Sequence, residues 1–253
     1  MRIIAIINQK GGSGKTTTTV NLAASLLEKK RRVLVVDLDP QASTTSWLES
    51  PSEQKILYEL FTQNKTLQQS IVATHFKGID LIPSSAWLVG IEKFLAQEVG
   101  AETLLKTKLQ SDVSKKYDYV LIDCPPTLGI LTINALTAAH EVIVPVEARV
   151  MALNGLVQLL NTIEIIQQRL NPNLSIAGII ACRVDGRTKH SKEIVTALQT
   201  NFKNLVYKTA IRENIRLSEA PSFGKPITVY DPRSYGTADY RSLAKEVIKQ
   251  EKK

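Results

Sequence analysis

Short, nearly continuous runs of apolar residues recur along the chain and predict buried strands. The runs are RIIAII at 2–7, RVLVVDLD at 32–39, IDLIPS at 79–84, YDYVLIDCP at 117–125, HEVIVPV at 140–146 and IAGIIACRV at 176–184. A strand with one solvated face would alternate apolar and polar residues, whereas these runs do not. They are typical of strands in a parallel sheet that is covered on both faces.

Amphipathic helices are predicted between the strands, because apolar residues recur three and four positions apart over 15–30, 153–170 and 191–202. This alternation predicts an α/β fold, a mostly parallel twisted sheet flanked by helices on both faces. Residues 49–70 are polar enough to form a surface excursion. We find no repeat or linker, and we expect residues 1–253 to form a single domain, with ligands beyond the carboxyl ends of the strands.

The composition is that of an ordinary globular protein, with 43% hydrophobic and 22% charged residues. No apolar run reaches the roughly 18 residues of a membrane span, so we expect a cytoplasmic protein. The two cysteines, Cys124 and Cys182, stand apart in strand-like runs. They indicate buried, unreactive thiols rather than a disulfide framework or a paired-cysteine metal site.

Positive charge is concentrated in the last third of the chain. The net charge is +8, and residues 183–253 hold 15 Lys and Arg against 8 Asp and Glu, which leaves +1 for residues 1–182. Such an asymmetry favours a polyanionic partner, with nucleic acid first and an acidic membrane surface second. A solvated basic face without a partner is the alternative.

The segment NQKGGSGKTT at 8–17 follows the first predicted strand and opens the first predicted helix. In that setting it predicts a phosphate-binding loop: glycines let backbone N–H groups surround phosphates, Lys15 neutralises the β and γ oxygens, and the Thr16 hydroxyl can ligate magnesium. Carboxylates end two other strands, Asp37 and Asp39 in VVDLDPQ and Asp123 in VLIDCPP. Asp123 is placed like a Walker B aspartate, which holds magnesium through water.

Four segments together resemble the ParA/Soj family of deviant-Walker partition ATPases, which is related to MinD. They are KGGSGKTT, VVDLDPQA, LIDCPPTLG and IRENIRLSEAPSFGKPITVYDPRSYG. The resemblance spans nearly the whole chain. It implies a P-loop NTPase with a deviant Walker A motif, Mg²⁺-dependent hydrolysis of ATP, and a homodimer that forms on ATP binding and sandwiches two nucleotides.

The resemblance also implies roles for individual residues. Lys10, the additional lysine, would cross to the partner's nucleotide phosphate, and Asp39 would position the attacking water. Magnesium would be supported by Thr16, Asp37 and Asp123. The implied catalytic set is Lys10, Lys15, Asp39 and Asp123; the implied nucleotide-binding set is Lys10, Gly11, Gly12, Ser13, Gly14, Lys15, Thr16 and Thr17, with an adenine pocket near Ile211, Asp231 and Pro232.

By the same resemblance, Arg187 and Arg216 would bind double-stranded DNA without regard to sequence. Lesser candidates in the basic third are Arg183, Lys189, Lys192 and Lys208. The chain also departs from the family pattern: PVEARVMALNGL carries Glu147 and Arg149 where relatives often have Pro-x-Gln-x-Glu, and no adenine-specific side chain is inferred at Cys182 or Arg183. We expect any DNA-binding surface to be built on the ATPase fold itself.

Together these expectations imply a switch whose DNA binding is controlled by ATP binding and hydrolysis. ATP dimers would bind nucleoid DNA, and a ParB-like or other adaptor would stimulate hydrolysis and release them, so that a chromosome origin or a plasmid is segregated. Positioning of a protein organelle such as the carboxysome is an alternative.

A MinD-like membrane cycle would need an amphipathic anchor, whereas the stripe of Leu243, Ala244, Val247 and Ile248 is read as a core-packing helix, so no membrane partner is expected. An iron–sulfur carrier would need subunit-bridging cysteines.

Overall fold

Seven strands of the described chain form one sheet. The computed structural model describes residues 1–48, 55–62, 64–111, 116–148 and 152–251. The strands are β1 (Arg2–Ile6), β2 (Val33–Asp37), β3 (Val72–Ala73), β4 (Ile79–Ile82), β5 (Tyr119–Asp123), β6 (Glu141–Glu147) and β7 (Ser175–Cys182). Their order across the sheet is β3-β4-β2-β5-β1-β6-β7. The short β3 pairs antiparallel with β4, and the other pairings are parallel. The predicted fold class is therefore confirmed.

Helices cover both faces of this sheet. They are α1 (Lys15–Glu28), α2 (Ser43–Trp47), α3 (Ile56–Phe61), α4 (Leu67–Ser70), α5 (Ile91–Leu95), α6 (Leu104–Leu109), α7 (Ile130–Ala138), α8 (Ala152–Arg169), α9 (Lys189–Phe202), α10 (Ile215–Glu219), α11 (Ile227–Tyr230) and α12 (Tyr235–Lys249). Ile3 and Ala5 of β1 pack in the core beneath α7, α8 and α9, whereas Ile4 and Ile6 pack in the core beneath α1 and α12. Because successive residues enter opposite cores, the strands are apolar throughout.

The parallel strands bring three of the predicted functional positions to one edge of the sheet. The phosphate loop follows β1, Asp37 ends β2, Asp123 ends β5, and Asp37 and Asp123 are paired in the strand register. Glu147 ends β6 beside Cys182, the last residue of β7. This edge, at the carboxyl ends of the strands, is where ligands bind in open α/β sheets.

The expectation of a surface excursion over 49–70 is wrong for the part that is described. Helices α3 and α4 lie there, and Leu57, Leu60 and Phe61 are buried in the core. The run ILYELF has apolar residues at helical spacing, but at six residues it is too short to stand out from its polar neighbours. Tertiary burial, rather than intrinsic propensity, accounts for helices of this length.

Helix α12 confirms the interpretation of the C-terminal stripe as core. Leu243, Ala244 and Val247 are fully buried, and Ile248 packs partly buried against the same cluster. Of the helices that the structure describes, none is long and apolar enough to cross a bilayer.

Candidate nucleotide and DNA site

The loop between β1 and α1 has the backbone conformation that phosphate binding requires. Gly12 and Gly14 have φ of 73° and 95°, in the left-handed region that favours glycine. The first helical hydrogen bond is donated by the Thr18 N–H to the Gly14 carbonyl over 2.8 Å. The N–H groups of the preceding residues lie before the helical ladder, and together with the positive end of the helix dipole they favour an anion.

The two lysines of this loop differ in their surroundings. Lys15 is 7% exposed, and its Nζ donates to the Lys10 carbonyl over 3.2 Å. Burial lowers the pKa of the Lys15 ammonium, although the carboxylates of Asp123 and Asp39 oppose this shift. The Lys10 side chain is 44% exposed, and its Nζ lies 3.0 Å from Glu147 Oε2. Lys15 is thus fixed inside the loop, whereas Lys10 lies at its rim.

Asp123 lies at the centre of a small polar cluster next to the loop. Its Oδ2 accepts hydrogen bonds from Thr16 Oγ1 at 2.8 Å and Thr44 Oγ1 at 2.7 Å. Its Oδ1 is buried and has no hydrogen-bond partner among the described residues. Burial raises the pKa of Asp123, and the two threonine hydroxyls oppose the shift. A buried carboxylate oxygen without a donor, beside a threonine hydroxyl, fits a hydrated magnesium ion, whose charge would keep the carboxylate ionised.

Asp37 lies beside Asp123 but is already occupied by donors from its own chain. Its Oδ2 accepts from the Thr45 N–H at 2.8 Å and the Thr45 hydroxyl at 2.7 Å, and its Oδ1 accepts from the Asp39 N–H at 3.2 Å. Burial and the Asp123 charge raise the pKa of Asp37. These bonds make Asp37 an anchor for the segment after β2, so any support of a metal is indirect.

Asp39 is the carboxylate of this segment that lines the open cavity. Its Oδ1 accepts from the Gln41 N–H at 3.0 Å, and its carbonyl accepts from Ser84 Oγ at 2.6 Å. The backbone of Asp39 is therefore fixed from both sides. Its half-buried carboxylate remains at the cavity wall, a position from which it can orient water.

A cavity of about 1070 Å³ extends from the phosphate loop along the carboxyl edge, large enough for a nucleotide. Of the three residues predicted near the adenine, Ile211 lines this cavity, but Asp231 and Pro232 are not among its lining residues. The Asp231 carbonyl accepts the hydroxyls of Ser234 and Thr237 at the start of α12, and the Pro232 carbonyl accepts from Arg241. The segment 211–215 and Tyr235 are among the residues that line the cavity.

The two predicted DNA-binding arginines lie at the surface and are paired with carboxylates of their own chain. Arg187 is 89% exposed and bonded to both oxygens of Asp185 at 2.9 and 3.0 Å. Arg216 Nη1 lies 3.0 Å from Glu219 Oε2, and its Nε lies 3.7 Å from Asp231. Exposed pairs of this kind are weak because water screens them, so a polyanion can compete for these arginines. The four lesser candidates for DNA binding are also exposed: Arg183, Lys189, Lys192 and Lys208.

Several side chains of the site were not predicted from the sequence. Thr44 and Thr45 hold Asp123 and Asp37, and the STTSW run after Asp39 offered the only signal, two hydroxyls next to a strand-end carboxylate. The sequence predicts no role for Asn8, whose side chain bonds to the Pro145 carbonyl and to the Lys10 N–H. Glu147 was singled out as a departure, and the structure shows its ion pairs with Lys10 and Arg183. Arg149 lies outside the described residues. Cys124 and Cys182 are buried, as predicted.

A phosphate loop between a strand and a helix, with carboxylates at the ends of two neighbouring parallel strands, defines the class of P-loop nucleotide-binding proteins. A family model described as an AAA domain matches residues 1–176. The sporulation initiation inhibitor protein Soj of Bacillus subtilis is 47% identical over 97% of this chain and 98% of its own length. The chromosome partitioning protein ParA of Myxococcus xanthus is 40% identical over 99% of this chain and 89% of its own length. The chain belongs to the ParA/Soj family of P-loop ATPases.

Among solved structures, a cobyrinic acid a,c-diamide synthase from Mycobacterium smegmatis with a bound ATP analogue and magnesium superposes with a TM-score of 0.86. It is 34% identical, and the match covers 98% of this chain and 95% of that one. The fold is thus shared by proteins whose names denote different tasks, so the function has to be argued from the site.

Proposed function

We propose that the protein is a ParA-like ATPase that cycles between a monomer and an ATP-sandwich dimer. The dimer binds nucleoid DNA without sequence specificity, and hydrolysis, stimulated by a ParB-like adaptor, releases it. Repeated release segregates a chromosome origin or a plasmid. The nucleotide is ATP with Mg²⁺, in line with the ligands named for the solved structure of similar fold.

The observation that carries this proposal is the difference in burial and position between Lys15 and Lys10. Lys15 is buried in the loop and is preorganised for phosphate within its own subunit. Lys10 is exposed at the rim and lies outside the set of cavity-lining residues, so its ammonium is suited to a phosphate presented by a second subunit. A charge supplied across the interface makes the dimer depend on the γ-phosphate, which hydrolysis removes.

The chain's own residues account for the steps of hydrolysis. Lys15 and the N–H groups that begin α1 bind the phosphates, and Asp39 orients the attacking water, with positioning and electrostatics providing most of the catalysis. Thr16 and Asp123 are the residues that would hold magnesium. When bound, that ion neutralises charge that develops on the phosphate oxygens.

Replacing Lys10 by alanine should leave ATP binding to the monomer intact but prevent the ATP-dependent dimer. Removing one partner of a charge pair costs about 2–5 kcal/mol, so the dissociation constant of the dimer should rise at least about 30-fold. The measurement is light scattering with a slowly hydrolysed ATP analogue. Lys29→Ala, which removes an exposed lysine after α1, is the matched control. A Lys10→Ala protein that dimerises like the parent would contradict the cross-subunit role.

Replacing Asp39 by alanine should trap the ATP-bound dimer on DNA. Loss of a residue that positions the attacking water should lower kcat for hydrolysis by about 100-fold or more, since such groups contribute about 10²–10⁴-fold. Phosphate release and the lifetime of the DNA complex in ATP are the two measurements. Asp118→Ala, at the opposite edge of the sheet, should behave like the parent. Normal turnover in Asp39→Ala would remove this residue from the mechanism.

The cargo depends on the adaptor. A chromosome origin or plasmid bound by a ParB-like protein is the main expectation, and a protein organelle with its own adaptor is the alternative. Stimulation of hydrolysis by one candidate adaptor and not the other distinguishes them.

A further inference from the structure

Three charged side chains form a chain of ion pairs at the rim of the phosphate loop. Lys10 Nζ lies 3.0 Å from one carboxylate oxygen of Glu147, and Arg183 Nη1 lies 3.1 Å from the other. Glu147 is the last residue of β6 and only 5% of its side chain is exposed, whereas Lys10 and Arg183 are 44% and 48% exposed. One buried anion is thus shared by two partly exposed cations.

The backbone around Lys10 is held in place, so its pairing is decided by the side chain. Asn8 Nδ2 donates to the Pro145 carbonyl on β6 over 2.6 Å, and Asn8 Oδ1 accepts from the Lys10 N–H at 2.9 Å. Asn8 therefore ties the start of the loop to the strand that carries Glu147. The Lys10 ammonium can leave Glu147 by rotation of its four-carbon stem without any movement of the loop.

A buried carboxylate that loses its only cation is strongly disfavoured, because the charge is left desolvated. When Lys10 departs, Glu147 still has a compensating positive charge beside it, because Arg183 Nη1 lies 3.1 Å from its other carboxylate oxygen. We propose that Glu147 and Arg183 are positioning residues for Lys10: Glu147 retains the lysine in the monomer, and Arg183 neutralises Glu147 so that the lysine can transfer to the partner's nucleotide. This inference rests on the cross-subunit role of Lys10 in the proposed function.

The backbone of Arg183 supports a specific placement of this guanidinium. Arg183 has φ of 53°, a left-handed conformation that costs energy for a residue with a side chain and recurs at functional sites. It follows directly after β7, next to the residue paired with Glu147. Its Nη2 also lies 3.6 Å from Glu213 Oε1, which holds the guanidinium between two carboxylates.

The two positioning residues should change dimerisation in opposite directions. Glu147→Gln removes the anion that retains Lys10, so at a saturating, slowly hydrolysed ATP analogue we expect the dimer dissociation constant to fall about tenfold, equivalent to about 1.4 kcal/mol. Arg183→Gln removes one of the two described cations beside Glu147 and so strengthens the hold of Glu147 on Lys10, and we expect the dimer dissociation constant to rise about tenfold. Analytical ultracentrifugation at several protein concentrations measures both.

A double-mutant cycle tests whether Arg183 acts through Glu147. In the Glu147→Gln background, Arg183→Gln should change the dissociation constant by less than about twofold, because the carboxylate that couples them is absent. The matched control is Glu213→Gln, which removes the same charge from the other partner of Arg183 but does not contact Lys10, and it should change dimerisation by less than about twofold. Weakening by Glu147→Gln, or an equal effect of Arg183→Gln in both backgrounds, would overturn the inference. A purely structural role would lower thermal stability and dimerisation together in both single variants.

Lys10→Ala separates this inference from the proposed function. If Lys10→Ala dimerises with the parent affinity, the proposed function fails. If Lys10→Ala cannot dimerise and Glu147→Gln nevertheless dimerises like the parent, the cross-subunit lysine stands and the positioning role fails alone.

Discussion

Replacing Arg187 and Arg216 together by glutamate is expected to abolish DNA binding while the ATP-dependent dimer still forms. Non-specific affinity comes essentially from phosphate contacts, and the double variant reverses four charges in each dimer, so the affinity should fall at least about 100-fold. With about 0.9 counterions released per phosphate contact, the slope of log K against log salt should become shallower by about 4. Fluorescence anisotropy with a DNA duplex in a salt series measures both quantities.

The control for this variant carries the same change of charge at the opposite edge of the sheet. Lys29 follows α1 and Lys77 precedes β4, and both are exposed at the amino-terminal edge. Lys29→Glu with Lys77→Glu should weaken DNA binding only slightly at moderate salt, because interactions beyond about 10 Å are screened. If the two double variants lose the same affinity, binding follows net charge, and Arg187 and Arg216 have no special place in it. Retention of full affinity by the arginine variant would remove both residues from the interface.

The sheet was predictable because burial on both faces removes polar residues from its strands. Ile3 and Ile4 of β1 enter opposite cores, so the run reads as continuous and its boundaries follow from where polarity returns. Most observed strands are shorter than the predicted runs, as in Val33–Asp37 against 32–39, whereas β6 is as long as its run but lies one residue later. After β2 the predicted run continues into Asp39, which lines the cavity. The apolar run in the sequence therefore does not show where a buried strand ends and the functional loop begins.

The elements that escaped prediction are those fixed by long-range contacts. Helix α3 has six residues, and β3 has two that pair antiparallel with β4, so neither offers a period long enough to detect. In the site, the loop and the strand-end carboxylates could be located from spacing alone. The threonine bonds to Asp37 and Asp123, and the contact of Glu147 with Lys10, join residues from 8 to 137 positions apart. Sequence alone gives no distance between such positions.

The site has a consistent electrostatic logic. Burial disfavours ionisation of Lys15, Asp37 and Asp123, since it lowers the pKa of the lysine and raises the pKa of both carboxyl groups. A triphosphate beside Lys15 and a divalent cation beside Asp123 would favour the charged forms of these two groups. These protein groups lose their hydration when the chain folds, so nucleotide binding does not have to desolvate them again, and the site is preorganised for its ligands.

Among the variants considered, Lys15→Ala should cause the largest loss of ATP binding without lowering the stability of the fold. Removing a cation that binds phosphate oxygens costs about 2–5 kcal/mol or more, so ATP affinity should fall at least about 30-fold, and dimerisation and DNA binding should disappear with it. Because burial lowers the pKa of Lys15, its charge opposes folding below that pKa, and the free energy of unfolding of Lys15→Ala should not fall.

Calorimetric titration with ATP and denaturant unfolding of the same Lys15→Ala sample test the two halves of this prediction. Lys29→Ala, after the far end of the same helix, should match the parent in both measurements. ATP affinity within threefold of the parent would show that the buried ammonium serves the loop rather than the nucleotide. A large loss of stability would mean that the 3.2 Å bond to the Lys10 carbonyl holds the loop together, in which case Lys10 and Lys15 could not be separated by mutation.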